Sequence, residues 1–160
     1  MSIDVNVASV TVILKELGIP LRVSSKRDRI AMQKGVYLAQ RAGVDLGYRF
    51  TWYINGPYSA KLADAYYQAD EEKEVYEGFE ADREFSNKLK KAKRLIEEKP
   101  DTADLPEWLE AVGSLDYMIK VGARSVASAI QFCKQEKPHL ACMFEPAKQA
   151  LIKHAFITAA

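Results

Sequence analysis

Between Ser25 and Gly43 the apolar residues Ile30, Ala31, Met32, Val36, Tyr37, Leu38 and Ala39 lie on nearly every side of a helical wheel. A helix that is apolar on more than one side must be covered on more than one side. The segment is therefore expected to be a central, buried helix around which the rest of the chain packs. Ser25 and Asp28 have the spacing of a capping box at its start, and Gly43 supplies its stop.

Helical patterns recur on both sides of it. Asp4 can cap a first helix through Val7, Val10, Leu14 and Leu17 that Gly18 and Pro20 end. Ser59 can cap a third through Leu62, Ala65, Tyr66 and Ala69. Phe85, Leu89, Ala92 and Ile96 form a narrow stripe on a basic amphipathic helix, and Asp104 can cap a helix with Leu105, Trp108, Val112 and Leu115 inward. Ser125 opens a helix burying Val126, Ala129, Ile130 and Cys133, which Pro138 ends, and Pro146 falls in the first turn of a last helix through Leu151 and Ala155.

One stretch breaks the helical rhythm. Tyr48 to Ile54 is rich in aromatic and β-branched residues, as a short strand requires, and Asn55-Gly56-Pro57 is expected to end it as a turn. Asp70 to Glu84 carries eight acidic residues against two basic ones, which suggests a loop or an extended arm. Within it Val75, Glu77 and Phe79 alternate, so a second strand pairing with the first is expected there. The fold class that follows is mainly α with a small β part (α+β): a compact domain of about six or seven helices with a β element near residues 48–54. A chain of 160 residues is the size of one domain, so 1–160 is read as a single unit.

Composition narrows the function classes. The net charge is +1, from 23 basic and 22 acidic residues, so no overall field draws the chain to nucleic acid or to an anionic membrane. Cys133 and Cys142 are too few for a secreted disulfide framework, and the opening MSIDVNVASV lacks the order of a signal peptide, so a cytoplasmic location is expected. Charges interrupt every apolar stretch well before the roughly 20 residues that a membrane span needs.

The chain offers little catalytic chemistry. Cys133, His139, Cys142 and His154 lack both the Cys-x-x-Cys and the His-x-x-x-His spacing, so no metal is expected. Cys133 falls on an apolar stripe, where a thiol behaves as a small hydrophobe rather than a nucleophile. Neither Gly43 nor Gly47 belongs to a phosphate-binding loop, so no nucleotide cofactor is expected. Two surfaces could bind something. Residues 22–49 hold seven basic and two acidic residues, including Arg22, Lys26, Arg27 and Arg29, and helix 86–98 adds Lys90, Lys91, Lys93 and Arg94. With Trp52, Tyr53 and Tyr58 close by, these could grip phosphates and stack bases, although a solvated helix face explains such lysines more often.

The runs Ile30 to Gln40 (IAMQKGVYLAQ), Leu46 to Tyr53 (LGYRFTWY), Gly56-Pro57-Tyr58-Ser59 and Leu62-Ala63-Asp64 resemble the YwgA-like branch of the SocA-related, or Panacea, antitoxin domains. That family's pattern is a helix with Leu-Gln-Lys and a nearby Val-Tyr, then a Trp-Tyr strand and a Gly-Pro turn. Trp108-Leu109-Glu110 and Ser114-Leu115-Asp116-Tyr117 are similar as well, while Met32 and Gly35 depart from the leucine-like residues common there. The resemblance implies a non-enzymatic module of a bacterial or phage toxin–antitoxin or defence locus that binds a protein toxin and neutralises it or delivers it to proteolysis. Its partner would be a toxin or defence protein encoded nearby, and its signature Gln33, Lys34, Tyr37, Trp52, Tyr53, Gly56, Pro57, Tyr58 and Ser59. Physically, Gln33 and Lys34 are polar groups in an apolar helix, and they are expected to satisfy backbone groups of the Gly56-Pro57 turn, because buried amides without partners are costly.

Overall fold

Asp4 starts the first helix as its spacing predicts: in the computed structural model, which describes residues 2–159, its carboxylate accepts from the N–H groups of Asn6 and Val7. Helix α1 (Val5–Leu17) ends at Gly18, whose φ of 71° lets the chain turn back with its N–H on Leu14 and Lys15. Ser25 caps α2 (Lys26–Arg41) by accepting from the Asp28 N–H. Ala31 through Ala39 are buried without a break, so α2 is central. Gly35 belongs to that burial, since a Cβ there would collide with Ile19 Cδ1.

The remaining helices are α3 (Ala60–Glu71), α4 (Lys73–Tyr76), α5 (Arg83–Glu97), α6 (Leu105–Lys120), α7 (Val126–Glu136) and α8 (Phe144–Lys153), with a 3-10 turn at Pro138–Met143. Eight α-helices are thus present among the described residues, against the six or seven expected, the eighth being α4. The chain is mainly helical with one small antiparallel sheet. No helix among the described residues is long and apolar enough to cross a membrane.

Helix α6 differs from its expected one-sided pattern. Asp104 and Glu107 close a full capping box, but Trp108 through Met118 are then all buried, including Glu110, Ser114 and Asp116. The reason is its place. Helix α2 packs on one side of α6, and α7, α8 and the 3-10 turn cover others, while α1 packs on α2, α3 on α1, and α5 on α1 and α2.

The β element also differs. Strand β1 is only Thr51–Tyr53, and the expected turn residues Gly56 and Pro57 instead begin β2 (Gly56–Tyr58). The register pairs Thr51 with Tyr58, Trp52 with Pro57 and Tyr53 with Gly56, which leaves Ile54 and Asn55 as the two-residue turn. Pro57 is tolerated because both strands of a two-stranded sheet are edges. Tyr48 to Phe50 lie outside the ladder, because the side chain of Gln40 already holds both backbone groups of Tyr48. The second strand expected at Val75, Glu77 and Phe79 does not form. Helix α4 takes that stretch because it buries Tyr76, whose hydroxyl accepts from the Asp4 N–H at 3.1 Å. Nor does the acidic stretch stand out as an arm: its first residues finish α3, Lys15 ties its middle to α1 by donating to the carbonyls of Glu77 and Phe79, and its last residues begin α5.

A pinned hairpin as candidate binding site

Polar side chains of α2 point at the backbone of the hairpin segment. Gln33 is buried and makes two bonds to Ser59: its Nε2 donates to the carbonyl at 2.9 Å, and its Oε1 accepts from the N–H at 2.9 Å. Gln40, two turns later, repeats the arrangement on Tyr48 at 3.0 Å for each bond. Both ends of residues 48–59 are clamped in this way. Lys34, 1% exposed, donates from Nζ to the Pro57 carbonyl at 2.9 Å. Gln33 and Lys34 thus serve the turn's backbone, as their polarity within an apolar helix implied.

The opposite side of the hairpin is held from the second half of the chain. Lys137, just after α7, donates to the Ile54 carbonyl at 2.9 Å and to Glu110 Oε2 at 3.0 Å, with its ammonium 5.2 Å from the Trp52 ring centroid. Trp52 also packs against Tyr117 and Phe132. Gly56 sits at a φ of 98°, and a Cβ on it would collide with Ser114 Oγ, so both backbone shape and space favour glycine there. Ser114 Oγ is buried with no hydrogen-bond partner among the described residues.

Charge in this region is unbalanced. Lys34 and Lys137 are both buried, and Glu110 is the carboxylate between them. Burial lowers the pKa of Lys34 to about 7, Glu110 opposes the shift, and Lys137 adds to it. A separate pair lies toward the end of α2, where buried Asp116 accepts from the Tyr37 hydroxyl and Arg41 Nε, each at 2.7 Å. Burial first, and then that carboxylate, hold the Tyr37 hydroxyl far above its ordinary range.

Beside the hairpin, a half-open cleft of about 300 Å³ runs between the first turns of α2, the hairpin and α3. Lys26, Arg29 and Lys34 line it, along with Tyr53 and Tyr58 of the hairpin and Tyr66 and Tyr67 of α3. At the hairpin's tip Tyr53 is 52% exposed and Ile54 75% exposed.

The signature residues therefore divide. Gln33, Lys34, Gly56, Pro57 and Ser59 are buried scaffold, Tyr37 bonds Asp116 away from the hairpin tip, Trp52 packs half-buried, and Tyr53 and Tyr58 face the cleft. The basic residues scatter. Arg22 pairs with Asp28 and Arg27 with Asp104, Lys26 and Arg29 reach the cleft, and Lys91 donates to the Ala155 carbonyl. Lys91 stacks on Phe156, whose carbonyl accepts from Arg41, so it lies near the opposite end of α2 from Lys26. At 1.5 Å per residue those ends are about 22 Å apart. Lys90, Lys93 and Arg94 are exposed.

Among the other reactive groups, the Cys133 thiol is buried, which pushes its pKa up to about 12, and Cys142 is exposed. His139 Nε2 is 4.0 Å from Glu110, and His154 Nε2 is 3.1 Å from Glu98. No group of three or more His, Cys, Asp or Glu among the described residues is placed to hold a metal ion.

Sequence reasoning gave no role to Gln40, Glu110, Asp116 or Lys137, although the first three lie in the runs that carry the resemblance. Glu110 and Asp116 had a signal: they are the only charges in the stretch Trp108 to Met118, which is otherwise too apolar for a surface helix. Lys137, next to Glu136 and Pro138, had none, since nothing local separates it from a surface lysine. No family model, no curated protein and no solved structure matches the chain.

Proposed function

We propose that this chain is a non-enzymatic protein-binding module, an antitoxin-like inhibitor or proteolysis adaptor of a bacterial or phage toxin–antitoxin or defence locus. The observation that carries it is the hairpin tip, where Tyr53 and Ile54 are exposed at 52% and 75% above a backbone held by Lys34, Lys137 and the two glutamines. An apolar and aromatic projection on a backbone that is already ordered loses little entropy on docking, which favours it as an anchor. The partner is a protein encoded beside this one, and the resemblance of residues 30–64 to Panacea antitoxins supports that assignment. Gln33, Gln40, Lys34 and Lys137 each hold hairpin backbone, which supports a docking role over a reactive one.

A nucleic-acid-binding regulatory role ranks second. Lys26 and Arg29 at the tyrosine-lined cleft favour it, but Lys91 lies far from them along α2.

Co-expression with the neighbouring gene's product is expected to yield a complex and to relieve that product's toxicity. Ile54→Asp, at an exposed position, is expected to abolish both without lowering the melting temperature. A neighbouring protein that is neither bound nor neutralised by the wild-type chain removes the proposal.

A further inference from the structure

The cleft beside the hairpin has the chemistry of a small-ligand site, and it shares Tyr53 and Ile54 with the proposed docking tip. Two sets of groups converge on it. The first is cationic: Lys26, Arg29 and Lys34 line the cleft, none of them is in an ion pair among the described residues, and no acidic residue lines it. The acidic residue nearest to them in sequence, Asp28, is paired with Arg22 at 3.6 Å. Arg29 uses Nη1 on the Val23 carbonyl at 2.6 Å, which fixes the guanidinium while its other N–H groups make no hydrogen bond among the described residues. Lys34 uses one of its possible donors, on Pro57.

The second set is aromatic. Tyr53 and Tyr58 on the hairpin meet edge to face with centroids 5.4 Å apart, and Tyr66 and Tyr67 on α3 are tilted at 5.4 Å. Tyr53 and Tyr67 are both substantially exposed, so ring surface is available on two sides of the cleft. A volume of about 300 Å³ is at the lower end of ligand pockets and admits one ring with its substituent.

We propose that this cleft is a receptor for a small phosphate monoester carried on a flat ring, the dianion meeting Lys26, Arg29 and Lys34 and the ring stacking on the tyrosines. Phosphate matches better than a single carboxylate because Lys26 and Arg29 are two cations outside any ion pair among the described residues, and a dianion balances both where a carboxylate balances one. A guanidinium already oriented by Val23 offers phosphate oxygens a fixed pair of donors.

The test is calorimetric titration of the full chain at low salt with phenyl phosphate, inorganic phosphate, phenol and adenosine monophosphate. Phenyl phosphate and the nucleotide are expected to bind at least about tenfold more tightly than inorganic phosphate or phenol, since stacking and charge act together. Arg29→Gln is expected to weaken phenyl phosphate by about tenfold or more, and Tyr67→Leu to reduce it toward the affinity of inorganic phosphate. Lys26→Gln, at an exposed position, gives a second charge variant whose folding is not at issue, and Lys90→Gln on α5 is expected to change nothing. The proposal is overturned if phenyl phosphate binds no better than inorganic phosphate, or if Lys90→Gln weakens it as much as Lys26→Gln does. Binding of a 5′-phosphorylated trinucleotide by a chain that ignores both ring phosphates overturns it too, in favour of single-stranded nucleic acid.

Discussion

Replacing Gln33 with leucine isolates what the buried clamp contributes, because Gln40 makes the same two bonds in a half-exposed setting. In the variant the Ser59 N–H loses its acceptor inside the protein, at a cost of about 1–3 kcal/mol. The Ser59 carbonyl keeps a partner, the Ala63 N–H at 3.1 Å, so losing its second bond costs about 1 kcal/mol more. Leucine recovers about 1 kcal/mol by adding apolar contact in a buried position. The net loss is about 2 kcal/mol, or about 4–8 °C in melting temperature for a chain of this length. For Gln40→Leu, water can take over both bonds to Tyr48, and the loss should stay below about 1 kcal/mol. Scanning calorimetry of the two variants beside wild type decides it. If Gln33→Leu melts no lower than Gln40→Leu, then burial of the clamp is not what fixes the hairpin.

Lys34 should leave a mark on the pH dependence of stability. Its folded pKa is lowered from 10.5 to about 7, so between those values the unfolded chain holds a proton that the folded chain has released, and stability rises with pH across that window. Lys34→Met should remove that rise, and melting curves of variant and wild type that stay parallel from pH 7 to about 9.5 would refute it. Arg41→Met leaves the Asp116 carboxylate buried with only the Tyr37 hydroxyl, which should cost about 3 kcal/mol as read from the urea midpoint. A thiol reagent should titrate Cys142 alone in the native chain and Cys133 as well only in denaturant, because Cys133 is buried with its thiol pKa pushed up to about 12.

The helix starts were legible because their chemistry is local. The side chains of Asp4, Ser25, Ser59, Asp104 and Ser125 each accept from an N–H two or three residues ahead, a distance the sequence displays directly. The central position of α2 was legible for a related reason, since its apolar pattern leaves no side for water. Of the candidate site, Gln33 and Lys34 could be picked out as polar groups in an apolar helix, and the Gly56-Pro57 segment as the backbone they serve.

Only the tertiary structure decided the rest. Whether Gly56 and Pro57 ended a strand or began one depended on Trp52 and Tyr53 finding their partners across a two-residue turn. That Lys137 and Glu110 are buried, while lysines of similar local sequence face solvent, depended on bonds spanning 83 and 27 residues. A buried charge becomes tolerable only where a distant segment delivers its partner, and no short window of sequence contains both ends of such a bond. Local hydrogen bonds therefore set where the helices begin, and the packing of α2 against α6 set which charges lie inside and what surface the hairpin presents.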